Sequence, residues 1–149
     1  MNQRGKCTHR REVSQPPTIA QVQEITDPYA DCILECDGMT NVLHYYLTQA
    51  GIDHAVYQGY VIEDGPAGEG ITWHMWVTAQ TQEGPAIIDY RAQMWLGERE
   101  AVPRGVFLPE HYPTIQYHGD PIEPLVLPAG LIQFMIERPD IEQAQHNRL

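Results

Sequence analysis

The sequence predicts an α+β fold in which one amphipathic helix packs on an antiparallel β-sheet. Three observations predict it. Starting at Cys36, the residues Met39, Val42, Leu43, Tyr46, Leu47 and Ala50 recur at helical spacing, an apolar stripe about four turns long. Runs rich in Val, Ile, Tyr and Trp follow at 54–62, 72–79 and 86–90 and read as short strands. The polar stretch 80–84 joins the last two runs closely enough for a hairpin.

The remaining elements follow in chain order. Residues 1–17 are polar, basic and closed by Pro16-Pro17, which predicts a disordered segment ahead of one domain over 18–138. Thr18 is placed to cap a short helix over 18–26, where Ile19, Val22 and Ile25 share a face until Asp27-Pro28 interrupts. Gly51 stops the long helix. The glycine-rich stretch 64–70 predicts a loop, residues 92–96 a short helix and 114–118 a further strand. Seven of the 12 prolines fall after Ala101, so long regular elements are not expected there before a helix over 129–137. The polar end, 139–149, predicts a frayed tail.

Composition narrows the function classes. The chain of 149 residues is 42% hydrophobic and 19% charged, the balance of a globular domain with one core. It contains no apolar run of membrane-spanning length, and the basic start has no apolar stretch of the secretory kind. A cytoplasmic location is the expectation. Cys7, Cys32 and Cys36 cannot all pair with one another, which fits free thiols in a reducing compartment. Net charge is −11, yet Arg4, Lys6, Arg10 and Arg11 precede every acidic residue. From Glu12 onward five basic residues face 20 acidic ones, so the body should repel nucleic acid.

Chemistry concentrates on Cys36, His74 and Asp89. A helix start presents free backbone N–H groups and partial positive charge, which favour a thiolate and can hold an oxyanion. Glu35 and Asp37 work against the thiolate by charge, and a histidine able to become imidazolium would offset them. If the second and third strands form a hairpin with His74 opposite Asp89, the turn centres between Thr81 and Gln82, inside the expected polar stretch. Opposed residues share a sheet face, so the carboxylate can orient one ring nitrogen while the other faces Cys36. A buried structural cysteine and a strand histidine of no special role are the plainer alternatives. Cys32 is the rival nucleophile, and a zinc site of Cys32, Cys36 and His74 or His54 matches no strong ligand spacing. No cofactor or metal is expected. Trp73, Trp76 and Tyr90 flank the region as candidate substrate contacts, with core packing an equal reading for Trp76. His44, His54, His111 and His118 have no evident partners.

At these residues the chain resembles the transglutaminase-like branch of the papain-like cysteine enzymes. The resemblance rests on Cys36-Asp37-Gly38-Met39, Ala50-Gly51-Ile52, Gln58-Gly59-Tyr60-Val61, Trp73-His74-Met75-Trp76-Val77 and Ile87-Ile88-Asp89-Tyr90. It covers residues 36–90. It implies a papain-like core with Cys36 as nucleophile, His74 as general base and acid, and Asp89 as the residue that orients it. The activity implied is acyl transfer from amides of a peptide or protein, of peptidase, deamidase or transglutaminase type. The upstream oxyanion-hole side chain of some relatives has only Gln21 and Gln23 as weak candidates, and the proline-rich C-terminal third matches nothing in the family pattern. The alternative in another class is an inactive binding or inhibitory module that docks a protein partner. Oligomeric state is not legible.

Overall fold

Thr18 caps the first helix, α1 (Ile19–Thr26): its hydroxyl accepts from Gln21 N while the Gln21 side chain accepts from Thr18 N, a reciprocal box. A single 3-10 turn follows at Asp27–Tyr29, with Pro28 inside it. The computed structural model describes residues 15–66 and 68–137. The expectations for the basic tip, Cys7 and the 139–149 tail lie outside the described residues. Pro16 and Pro17, expected to be disordered, are tied down: the backbone N–H of Gln82 donates to Pro17 O (2.9 Å) and its side-chain amide to Pro16 O (3.0 Å).

The long helix, α2 (Cys36–Gln49), begins at Cys36 as the stripe predicts. It ends where Gly51 adopts φ 69°, with Gly51 N donating to Thr48 O and Ile52 N to Leu47 O. This paired closure needs a left-handed residue, which glycine supplies without strain. Five strands follow: β1 (His54–Glu63), β2 (Gly70–Thr81), β3 (Gly84–Asp89), β4 (Gly105–Phe107) and β5 (Ile115–Ile122). They form one antiparallel sheet in the order β4-β3-β2-β1-β5. Two short helices complete the order, α3 (Ala92–Leu96) between β3 and β4, and α4 (Ala129–Glu137) after β5. The α+β expectation is met. The short β4 was not foreseen, and β5 runs four residues beyond the predicted strand, carrying Pro121 on the sheet edge where its missing N–H is tolerated.

Alternation divides the sheet into two buried faces. On one, Val56, Val77 and Ile88 meet Met39, Leu43 and Leu47 of α2 and Val22 of α1. On the other, Val61, Ile71, Trp76 and Ile87 meet Ala92 and Leu96 of α3 together with Val102 and Phe107. His74 lies two residues before Trp76 and Asp89 two after Ile87, so both side chains belong to this second face. The sheet is thus covered on both sides, and the histidine is on the side away from the body of α2.

Candidate active site

The β2–β3 hairpin differs from its predicted register. Thr81 pairs with Gly84 and Val77 with Ile88, so the turn consists of Gln82 and Glu83 alone. Gly84, at φ 120°, permits that tight reversal. Continued, this register sets Asp89 opposite Trp76 and diagonal to His74, not directly across from it. A displacement of two residues keeps the face, so the contact survives. Nε2 of His74 donates to Asp89 Oδ2 at 2.7 Å, with the imidazole 0% and the aspartate 3% exposed.

The Asp89 carboxylate accepts four hydrogen bonds. Oδ2 receives His74 and the Tyr117 hydroxyl (2.8 Å) from β5, and Oδ1 receives the backbone N–H groups of Arg91 (2.8 Å) and Ala92 (3.1 Å). Its orientation is therefore fixed from two strands and a helix start. Burial and the neighbouring carboxylate push the Tyr117 phenol well above its ordinary pKa, so it stays a donor. Burial alone would depress His74. The Asp89 charge and hydrogen bond, with a further contribution from the Cys36 thiol, outweigh it and raise the imidazole to a pKa of about 9.

Cys36, at the start of α2, lies near enough to His74 to act on its imidazole. Pairing between β2 and β3 stops at Val77–Ile88, short of His74. The thiol is close enough to perturb the imidazole but forms no well-directed hydrogen bond with it. Nδ1 of His74 is buried and has no partner among the described residues. An unpartnered buried nitrogen is costly, and here it belongs to the ring whose other nitrogen is fixed by a carboxylate. Cys36 itself is 8% exposed.

Two further residues organise the site, and sequence reasoning missed both roles. Arg91 is buried and its guanidinium donates to the carbonyls of Ala30 (2.8 Å), Cys32 (2.6 Å), Leu34 and Tyr90 (2.9 Å). It gathers the segment that delivers Cys36. Tyr117 was unassigned because nothing local links it to Asp89. The only available signal for Arg91 was its position two residues after Asp89.

The flanking aromatics divide. Trp76 is buried, stacked near-parallel to His74 (centroids 6.2 Å) and Tyr57 (6.0 Å) and edge-on to Tyr117 (5.1 Å), so it is core beneath the imidazole. Tyr90 is buried too. Its hydroxyl donates to Asp27 Oδ1 (2.6 Å) and accepts from Thr26 Oγ1 (2.7 Å), which fastens α1 to the sheet. Trp76 has no free face for substrate, which corrects its assignment as a contact, whereas Tyr90, though buried, lines an open groove together with residues 30–35. Trp73 is 49% exposed, one residue before His74, and remains available. Gln21 is committed to the α1 cap and is unsuited to an oxyanion hole.

Burial raises the pKa of the Cys32 thiol, Asp31 adding to the rise and Arg91 opposing it, which makes Cys32 a poorer nucleophile at neutral pH. Among the described residues no three His, Cys, Asp or Glu side chains are grouped to hold a metal ion. Three of the four histidines expected to lack partners have them, His111 being the exception among the described residues. Nδ1 of His44 meets Nε2 of His54 at 2.8 Å, and His118 stacks on Tyr60 at 5.0 Å. Among the described residues no helix is long and apolar enough to cross a membrane. Comparisons of the chain with family models, curated proteins and solved structures find no match.

Proposed function

We propose that the chain is a transglutaminase-like cysteine enzyme of papain-like type that transfers acyl groups from amide bonds through Cys36, His74 and Asp89. The observation that carries this reading is the divided imidazole. Nε2 is held by Asp89 while buried Nδ1 stays unpartnered beside a thiol at a helix start. In the reactive pair the Cys36 proton rests on His74 as an imidazolium, and the thiolate sulfur bonds to the amide carbonyl carbon. The tetrahedral intermediate collapses as the C–N bond breaks and the imidazolium gives its proton to the departing amine. A thioester remains. Water, deprotonated by His74, attacks it, the C–S bond breaks and a carboxylic acid leaves. An amine in place of water would give a new amide. Backbone N–H groups at the start of α2 are the donors for the oxyanion.

A pKa of about 9 keeps His74 protonated at neutral pH, the form that pairs with a thiolate and can deliver a proton to the amine. Hydrolysis in a cytoplasmic setting, on a peptide or protein amide, is the favoured version. The test is iodoacetamide alkylation across pH, with adducts mapped by intact mass and peptide analysis. One fast thiol at Cys36, slowed at least tenfold in His74→Ala, supports the reading. Equal labelling of the Cys36→Ala chain would overturn it.

One observation favours a second reading, an inactive module that binds a protein partner. Cys36 is only 8% exposed and lies between the exposed carboxylates Glu35 and Asp37. Under that reading the thiol alkylates no faster than a free cysteine, and a partner is retained by the Cys36→Ala, His74→Ala double variant.

A further inference from the structure

Near the point where the long helix turns back into the sheet, two histidines hold each other. His44 lies on α2 and His54 opens β1, both half-buried, and Nδ1 of His44 stands 2.8 Å from Nε2 of His54. The ring centres are 5.0 Å apart, so the two nitrogens face each other almost along the line of centres. A metal ion held head-on by two imidazoles needs about 4 Å between them, twice an ordinary metal–nitrogen bond. The gap fits a proton instead.

The far side of the pair fixes where each hydrogen sits. Nδ1 of His54 lies 2.7 Å from the Ile52 carbonyl oxygen, which can only accept, so this nitrogen carries a hydrogen. When that ring is neutral its Nε2 is a bare lone pair, and His44 donates to it from Nδ1. Both neutral rings are therefore Nδ1–H tautomers. Ile52 N in turn donates to Leu47 O in the closure of α2, so the bonds run from helix to turn to strand and back to the helix.

We infer that His44 and His54 form a proton-gated clasp between α2 and β1, closed while the pair holds no added proton or one, and opened by a second. The clasp is independent of acyl transfer. A first proton enters at Nε2 of His44, which water can reach, and the N–H···N bond persists with charge assistance. A second sets two N–H groups head to head at 2.8 Å and two positive charges side by side, and the rings must part.

No carboxylate offsets those charges. Burial, and then the charge of His54, push His44 below the ordinary histidine pKa, while α1, β2 and α4 add no charged group to it among the described residues. Tyr45, next to His44 on its own helix, packs edge-on to Tyr46. Across the sheet His54 faces Ala79, and the exposed Asp53 beside it forms no ion pair among the described residues. A folded pKa below the unfolded value of about 6.5 takes stability away as pH falls below that value. His74 works in the opposite sense, so the readout must be local.

The test is amide hydrogen exchange, corrected for its intrinsic pH dependence, and imidazole nitrogen NMR on the full chain between about pH 8 and pH 5. Protection over residues 48–56 should fall at least about fivefold at the acid end, the fold-change of one lost hydrogen bond, while residues 74–80 of β2 keep theirs. At the upper end both rings should carry hydrogen on Nδ1 and none on Nε2. The pair should titrate in two steps at least about one pH unit apart. His44→Asn keeps an amide donor for His54 and can turn its oxygen inward once His54 is charged. That variant should show no acid loosening and a single His54 step. Equal protection at both ends, the same loosening in His44→Asn, or hydrogen on Nε2 of neutral His54 would each overturn the clasp. Cys36 alkylation plays no part in these readouts, so failure of the enzyme reading leaves the clasp standing.

Discussion

The Tyr117 hydroxyl and Nε2 of His74 share one acceptor, Oδ2 of Asp89, at 2.8 and 2.7 Å. A carboxylate held by a phenol from one side cannot swing away from the imidazole on the other. Tyr117→Phe removes that donor with almost no change of shape. It should lower the unfolding free energy by about 1.5–3 kcal/mol, the worth of a buried hydrogen bond to a charged group. It should also slow His74-dependent alkylation of Cys36. Denaturant unfolding and alkylation rates check both, and an unchanged rate would confine Tyr117 to a structural role.

Asp89→Asn should invert the balance of forces on His74. With the charge gone, burial prevails and the pKa falls from about 9 to below the ordinary histidine value. In the parent chain the folded pKa lies above the unfolded value of about 6.5. The stability it contributes is whole below pH ~6.5 and drains away as pH rises through about 9. The variant should therefore lose more stability, relative to the parent, at pH 6 than at pH 9.5. Imidazole NMR titration and unfolding at the two pH values measure this. A deficit equal at both would contradict it.

Arg91→Lys tests whether planar geometry, rather than charge, gathers the loop before Cys36. An ammonium cannot reach four carbonyls spread over Ala30, Cys32, Leu34 and Tyr90. A loss of about 3 kcal/mol is expected from the stranded acceptors. Amide hydrogen exchange should rise over residues 30–36 while β1 and β2 stay protected. Unaltered exchange in that segment would remove Arg91 from the site's support.

Glycine substitutions separate a close approach from mere freedom. A Cβ on Gly119 would fall 2.5 Å from the Gln58 carbonyl oxygen and 2.7 Å from Cη2 of Trp76, the ring beneath His74. Gly119→Ala should cost about 2–3 kcal/mol by overpacking and perturb Trp76 fluorescence. Gly130→Ala, in α4 with nothing within 4 Å, should stabilise by about 0.5–1 kcal/mol. Calorimetry of the two variants gives opposite signs if the contacts are as described.

What the sequence determined by itself was local. The Thr18 cap, the start of α2 at Cys36, its closure at Gly51 and the bounds of α3 and α4 each depend on residues within about five positions of one another. The two-residue periodicity of strands also placed His74 and Asp89 on one face, a result that survived the wrong hairpin register because the error was an even number of residues. Tertiary structure decided the rest. Tyr117 meets Asp89 across 28 residues of chain, and Arg91 meets Cys32 across 59. No periodicity encodes such contacts, because they follow from strand order and from which faces α2 and α3 cover. The same packing buried Trp76 in the core and left the apolar side of α4 open to a groove that Tyr90 also lines.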